Sequence, residues 1–516
     1  DVLAVLLVGA GSLGVYVRTL APGILYGDSA EFQTLAATLG VAHPSGYALY
    51  LLLAKVFTWL PWENIAWRVN LLSAVMGALA LMGVYWMIRR LGGGLGGAIL
   101  GAVMVGAGRT FWSQTVMAEV YTLAAATEVG VLLLLFAWQN DPTRRLRWLF
   151  LAAFLVGLSL HITVLVMAPA MALFVGWRLW AGRQPPRQWR RTLGTGLAGA
   201  LVGAALFLLA TLALVWHNPP TSHVQVTLLP SRSAWALEAA DLDSPIEQLT
   251  TIVSGAQWQQ ALFSGKLAFM LAELRFYAKW LLNYDLAVWA LPLALLGWVV
   301  ILRRRREWGA LLALYGATLL FLIANYMGQG KHVFYTSTYL LIGIAMGVGA
   351  GWLVGCGGAA LKGRARWISW TAQALGIGLL AWALLAPFGA ERWQALQAGA
   401  ATFVHDRVAD AWGECGPEAQ PWWPWSSRSE WEQAGRAAAG AASARGGAAP
   451  PCRGDTRGHP RSQRLARPKA LHPDARRAVP PQRRWRRRPH HGRTRGKARP
   501  PRPYGRRQIR LETAAY

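Results

Sequence analysis

Apolar runs of roughly 20 residues, broken by short polar or basic punctuation, recur along positions 1–390 of the chain. At a rise of about 1.5 Å per helical residue, such a run crosses a hydrocarbon core of about 30 Å. The pattern predicts an all-α polytopic membrane protein of about eleven transmembrane helices. These fall near Leu3–Pro22, Ala66–Ile88, Leu95–Val105, Ala118–Trp138, Trp148–Leu160 and Thr163–Trp180. The rest fall near Leu193–Trp216, Leu282–Leu302, Gly309–Asn325, Thr338–Leu361 and Ile368–Pro387. Trp148–Trp180 is too long for one upright helix and is divided at His161. Tyr47–Leu60 is apolar but too short to span, and predicts a helix lying in the interface or re-entering it. Within the long loop 217–280, Ile246–Val253 and Leu262–Phe276 carry partial amphipathic patterning and predict short helices on the membrane surface.

Charge orients the bundle. Arg89–Arg90, Arg144–Arg145–Arg147, the run Arg178–Arg191, Arg303–Arg306 and Lys362–Arg364–Arg366 all fall on one side when the spans are counted. By the positive-inside rule that side is the cytoplasm. The opposite, extracytoplasmic side receives Asp28, Glu31, His43, the turn Arg109–Glu119, His161, the loop 217–280, and Lys331 with His332. Carboxylates, imidazoles and amines thus gather on one face, beyond what short polar loops require.

Only 15% of the 516 residues are charged, against about 25% for an ordinary soluble chain. The formal net charge of +28 invites a nucleic-acid reading. Yet Arg453–Tyr516 alone holds 21 Lys and Arg against three acids, so most of the excess is a property of the tail. Two parts result: a multi-span membrane domain, 1–390, with a first-loop region 23–65 and the long loop 217–280, and an Arg/Pro/Ala/Gly-rich tail, 391–516. With five Leu, Ile or Val in its last 64 residues, the tail cannot bury enough apolar surface to fold. It reads as a disordered basic segment or, better, as a frame-shifted translation, because the span count places it outside the cytoplasm. Nucleic-acid binding does not fit there. The chain opens on Asp1 directly before a span, so a few upstream residues are expected. Cys356, Cys415 and Cys452 lack metal-ligand spacing, and no internal repeat supports an inverted-repeat transporter.

The candidate chemistry starts at Tyr26-Gly27-Asp28-Ser29-Ala30-Glu31-Phe32. Spacing of three sets both carboxylates on one face of a short helix, which Asp28 or Ser29 would cap. From spacing alone, a solvated cap is as good a reading as a functional carboxylate, whether a general base, a metal ligand or an anchor for a basic partner. His43-Pro44-Ser45-Gly46-Tyr47 follows; Pro44 holds His43 extended and Gly46 permits a tight turn, which also describes an ordinary polar loop. Arg68 and Asn70 open the second span, where a cation snorkels, pairs with Asp28 or Glu31, or meets a phosphate. Arg109 poses the same question. Glu119, in Ala118-Glu119-Val120-Tyr121, needs a partner at such depth or a helix N-terminus to favour it. Lys331 and His332 are the phosphate-binding candidates of the second half.

The strings YVRTLAPGILYGDSAEF, GVAHPSGYALYLLL and AWRVNLLSAVMGALA, all between Tyr16 and Leu91, resemble the protein O-mannosyltransferase-like membrane family. AEVYTL (Ala118–Leu123) and the His161 helix are similar to that family's pattern, so the motifs keep their order over about 150 residues. Ala30 and Ala48 depart from it, standing where the family commonly has Gly and Pro. The resemblance implies a GT-C glycosyltransferase fold, a polyprenyl-phosphate sugar donor, inverting chemistry on the extracytoplasmic face, and a first-loop carboxylate as base. On these positions it implies Asp28 as base and Glu31 as its partner, with His43, Arg68, Glu119 and His161 lining the donor or acceptor site. Tyr47, Asn70, Arg109, Tyr121, Lys331 and His332 complete the expected substrate-binding set.

The expected function is therefore transfer of a sugar, mannose by the family's example, to a hydroxyl of a protein, glycan or lipid. The expected partners are the polyprenyl-phosphate sugar, that acceptor and the bilayer, with no nucleic acid. The expected location is the inner or plasma membrane. No cofactor is implied with certainty, and a divalent metal is compatible with the sequence without being indicated by it. A transporter or flippase of lipid-linked sugars would need polar residues at mid-membrane on several helices, and the spans are mostly clean there. A membrane scaffold would leave the clustered acids incidental.

Overall fold

The structure is a computed structural model that describes residues 1–360, except 26, 160, 236, 264, 287–289 and 327–330, together with 371, 374–376 and 378. Its first half runs α1 (Val2–Arg18), α2 (Asp28–Thr38), α3 (Ala48–Thr58), α4 (Ile65–Leu91), α5 (Gly94–Ala107), α6 (Arg109–Thr115) and α7 (Tyr121–Asn140). Then come α8 (Arg145–Ser159), α9 (Ile162–Leu165), α10 (Met167–Ala181) and α11 (Pro186–His217). The long loop carries α12 (Leu229–Ser231), α13 (Pro245–Ser254) and α14 (Leu267–Trp280). Last are α15 (Ala290–Arg304), α16 (Arg306–Ala324) and α17 (Thr336–Ala360). Among the described residues there is no strand beyond an isolated bridge between Leu262 and Tyr326.

The all-α, multi-pass architecture stands. Among the described residues, six helices are long and apolar enough to cross a membrane, and up to eight if each bent pair is one span. One bent pair is α5–α6, broken by 72°, which is what became of the short, glycine-rich third run. The other joins Leu267–Asp285 to α15 at 110°. α1, at 17 residues, is shorter than the predicted span there, and α8, at 15, starts three residues before its own. The expected span Ile368–Pro387 and the tail 391–516 lie outside the described residues. The chain does break at His161, and the two predicted loop helices appear as α13 and α14.

Close packing relies on small residues. A Cβ at Gly97 of α5 would run into the carbonyl oxygen of Gly347 in α17, and one at Gly157 of α8 into that of Ala200 in α11. Within lipid, where apolar burial does not drive helix association, such approach supplies the dispersion contact.

The two ends of the bundle differ in chemistry. At one end Arg89 pairs with Asp1 at 2.8 Å, and Arg178 approaches Glu307 at 3.9 Å. There Gln139 bridges Glu307 at 3.1 Å and Trp308 at 2.6 Å, while Arg145 and Arg305 lie over Trp138 and Phe136. Four of the five basic clusters thus share an end, and the fifth, at 362–366, lies outside the described residues. The other end carries the first loop and the site.

Candidate functional site

α2 begins in an unexpected way. Gly27, with φ +64°, is its N-cap, and no side chain caps the helix. A left-handed backbone at that turn suits glycine. Asp28 and Ser29 are therefore freed from the capping role the sequence offered them. Ser29 donates to Glu119 Oε1 at 3.2 Å, and Asp28 faces His43. Ala30 lies inside the helix, where it needs no glycine-like backbone. Farther along α2, Gln33 donates to Asn70 Oδ1 at 2.8 Å, and Asn70 donates to the carbonyl of Ala21 at 2.9 Å. Asn70 is fully buried and locks α2 against α4 and the end of the first span.

His43 meets both acids. Its backbone N–H donates to Glu31 Oε1 at 3.1 Å and its Nδ1 lies 2.5 Å from Glu31 Oε2, while Nε2 is 3.9 Å from Asp28 Oδ2. Glu31 Oε1 also lies 3.0 Å from Nδ1 of His223. Glu31 is thus gripped by three donors. Among the described residues Asp28 has only the longer ion pair with His43, and its side chain keeps 38% of its exposure.

The electrostatics follow. Burial alone would push Glu31 up, but the charge of His43 and hydrogen bonds from His223 and His43 hold it well below the usual carboxylate range. Burial would lower His43, yet the charges of Glu31 and Asp28 and the bond to Glu31 push it up to about 9. Asp28 is raised by burial, which the charge of His43 opposes and that of Glu31 reinforces.

Glu119 sits in the turn before α7, since the helix starts at Tyr121 rather than at Ala118. Its backbone N–H donates to Ser73 Oγ at 3.1 Å, and Ser73 donates back to its carbonyl at 3.0 Å. Burial, and then the charge of Asp28, pushes its carboxyl up to about 8. Tyr47 packs edge-on to His43 at 4.9 Å and lies 6.0 Å from His161. Tyr121 contacts His161 at 5.7 Å and Phe334 at 5.5 Å, extending the aromatic wall. Burial, then the charge of His43, pushes His161 down to about 4.

The remaining expected residues lie apart. Arg68 donates to the carbonyls of Trp62, of Thr58 at 2.9 Å and of Glu63 at 2.7 Å, which ties the end of α3 to α4. Arg109 lies over Tyr284 at 4.6 Å, and His332 packs against Trp280 at 4.5 Å. Those two border a second cluster in which Asp285 accepts from the N–H of Thr110 at 2.7 Å and its hydroxyl at 2.8 Å. The backbone of Lys331 opens the 3-10 turn Lys331–Tyr335 beside it.

Sequence reading missed Asp285, Glu128 and His223. Glu128 lies in the middle of α7, 1% exposed, accepting from Thr163 at 2.8 Å and Ser337 at 2.7 Å. A lone acid inside an apolar run gave the only signal. His223 stood in a loop whose length marked it as functional, with no motif around it.

Asp28, Glu31 and His43 each offer one ligand atom within 4.8 Å of the others. The arrangement is a hydrogen-bonded ion pair, and a cation taken between His43 Nε2 and Asp28 would leave the bond from Nδ1 to Glu31 intact. Chemically, it presents one partly exposed carboxylate beside an imidazolium, with its neighbouring acid already neutralised.

Fold and site together define a multi-pass helical membrane protein with an acid–histidine centre where the first loop meets one end of the bundle. Residues 28–183 match the family described as the Protein O-mannosyl-transferase TMEM260 N-terminal domain, so the resemblance to the protein O-mannosyltransferase-like membrane family is shown over that stretch. Protein O-mannosyl-transferase TMEM260 of Mus musculus is 38% identical over 155 residues, 29% of this chain and 22% of that protein. Its Dictyostelium discoideum counterpart is 25% identical over 173 residues, 30% of this chain and 21% of that protein. The matched part thus spans about a fifth of these relatives' length. Among solved structures, ArnT from Cupriavidus metallidurans bound to undecaprenyl phosphate is similar at a TM-score of 0.46 and 14% identity, over 78% of this chain and 73% of that one. The Archaeoglobus fulgidus oligosaccharyltransferase in complex with Zn and sulfate gives 0.46 and 12%, over 81% and 58%.

Proposed function

We propose that the protein is a membrane glycosyltransferase that moves a sugar, mannose by the example of its relatives, from a polyprenyl-phosphate donor to an acceptor hydroxyl. The observation that carries this reading is the division of labour between Asp28 and Glu31 inside the stretch that matches the family. Glu31 is held by three donors and is a poor base, whereas Asp28 is partly exposed, raised, and among the described residues has His43 at 3.9 Å as its ion-pair partner. Asp28 accepts the proton of the acceptor hydroxyl as that oxygen attacks the anomeric carbon, and the bond to the donor phosphate breaks on the opposite side. Single displacement inverts the anomeric configuration. His43 stabilises the Asp28 anion before attack, and Glu31 keeps His43 charged and aimed.

A lipid-linked donor keeps its chain in the bilayer, so its phosphate arrives at the end of the bundle where the site lies. Arg109, beside the second cluster, supplies a cation for the leaving phosphate. The arginine-rich end faces the cytoplasm and the site faces the other compartment. The membrane domain comprises 1–390.

The test is transfer from polyprenyl-phosphate mannose in membranes holding the full chain. Asp28→Asn is expected to reduce transfer by about 10³-fold while leaving the protein folded; full transfer by that variant would overturn the assignment of the base.

A further inference from the structure

Glu31 is reached from 192 positions away by His223, which enters from the segment joining α11 to α13. That segment is laid onto the first loop at several points. The His223 backbone N–H donates to the carbonyl of Val41 at 2.9 Å, and the hydroxyls of Thr221 and Thr38 lie 2.8 Å apart. A Cβ at Gly40 would meet Pro219 and the backbone of Ser222 at 3.1 Å, so the two segments touch closely. The ring of His223 is 4% exposed. Its Nε2 lies 3.2 Å from Gln257 Oε1, while Nδ1 faces both Glu31 Oε1 at 3.0 Å and Thr227 Oγ1 at 3.1 Å.

The chain of contacts continues beyond Glu31. One carboxylate oxygen takes the His223 bond and the other takes Nδ1 of His43, whose Nε2 then points toward Asp28. Oε1 also accepts the His43 backbone N–H at 3.1 Å, so two of the three donors belong to His43 itself, and His223 is the one that ties the Glu31–His43 pair to a separate segment of the chain. A ring set by a bonded carboxylate, with its far nitrogen turned to the reacting group, is an orienting arrangement of general use.

We infer that His223 is a positioning residue of the site: by its bond to Glu31 it fixes the Glu31–His43 pair, and so the bearing of His43 Nε2 on Asp28. The segment between α11 and α13 thereby completes an acid–histidine centre whose Asp28, Glu31 and His43 come from the first loop. The inference rests on Asp28 being the reacting carboxylate. Gln257, on the far side of the ring, supports His223 in turn. Were His223 only a packed loop histidine, Thr227 would satisfy it locally and its removal would leave turnover unchanged.

The experiment compares His223→Ala, His223→Gln and Gln257→Leu in the full chain in nanodiscs, with polyprenyl-phosphate mannose as donor. His223→Ala is expected to lower kcat by about 10²-fold, the cost of slight misplacement of reacting groups, with the KM for donor little changed. His223→Gln recovers most of the loss, because its amide N–H can replace the imidazole donor. Gln257→Leu follows His223→Ala in direction with a smaller loss, and it carries the test should His223→Ala not fold. Thermal unfolding of the cycle of His223→Ala and Glu31→Ala, each of which removes the bond outright, gives a readout independent of turnover. The Tm losses are expected to be non-additive, as for residues in contact.

Additive Tm losses overturn the inference, and so does non-additivity with kcat unchanged, which would make the bond structural only. Equal kcat losses in the Ala and Gln variants overturn it as well, since the donor would then be irrelevant. A fully active Asp28→Asn with the Tm coupling intact overturns the base assignment while leaving the bond between His223 and Glu31 in place, so the two failures are told apart.

Discussion

Two acids, the half-buried Glu31 and the buried Glu128, are each held by donors from several parts of the chain, yet the donors differ in kind. Glu31 is surrounded by imidazoles and a backbone N–H, beside an acid that keeps contact with solvent. Glu128, inside α7, is surrounded by the hydroxyls of Thr163 and Ser337, and Thr163 leads on to Nδ1 of His161 at 2.9 Å. Imidazoles can carry the balancing charge; hydroxyls only orient. The first arrangement builds an ion pair that can steer a neighbouring base. The second ties α7, α9 and α17 together inside the bundle. A carboxylate in a membrane protein therefore reads as a site or as a brace according to what donates to it, more than to how deeply it lies.

The comparison can be broken at its strongest point first. Asp28→Asn should reduce transfer by about 10³-fold, whereas Glu128→Gln, which keeps an acceptor for both hydroxyls, should leave kcat nearly unchanged. Radiolabelled transfer from polyprenyl-phosphate mannose measures both, and the reverse ranking would invert the two assignments. Next, Glu31→Gln should lower kcat by about 10²-fold through misdirection of His43, with donor KM held. Glu128→Leu should instead leave two buried hydroxyls without their acceptor. It should cost stability of about 1–3 kcal/mol, read as a lower Tm in detergent.

The pH profile sharpens the contrast further. His43 has a folded pKa above its unfolded value, so its ion-pair contribution is complete below the ordinary imidazole range and is lost as pH rises through about 9. Transfer should decline across that alkaline limb, and His43→Gln should remove the limb. The smallest effect concerns Arg68. With its guanidinium on three backbone carbonyls, Arg68→Lys should lower stability by about 1 kcal/mol and leave the donor KM alone. A raised KM would return Arg68 to the substrate site.

Hydrophobic periodicity and basic punctuation alone determined that the chain is a multi-pass helical membrane protein with its arginines gathered at one end, because each span answers to a local length and composition. The same sequence set Asp28 and Glu31 on one helical face, since a spacing of three does so in any helix. Sequence left Asp28, as readily a cap as a base, undecided. The tertiary structure gave the turn to Gly27 and aimed His43 at both acids. It also brought His223 from 192 residues away to Glu31, and it placed Arg68 on backbone carbonyls. Those outcomes depend on donors from distant segments meeting at one oxygen. Pairing of that kind has no period and no fixed spacing, so no stretch of sequence records it.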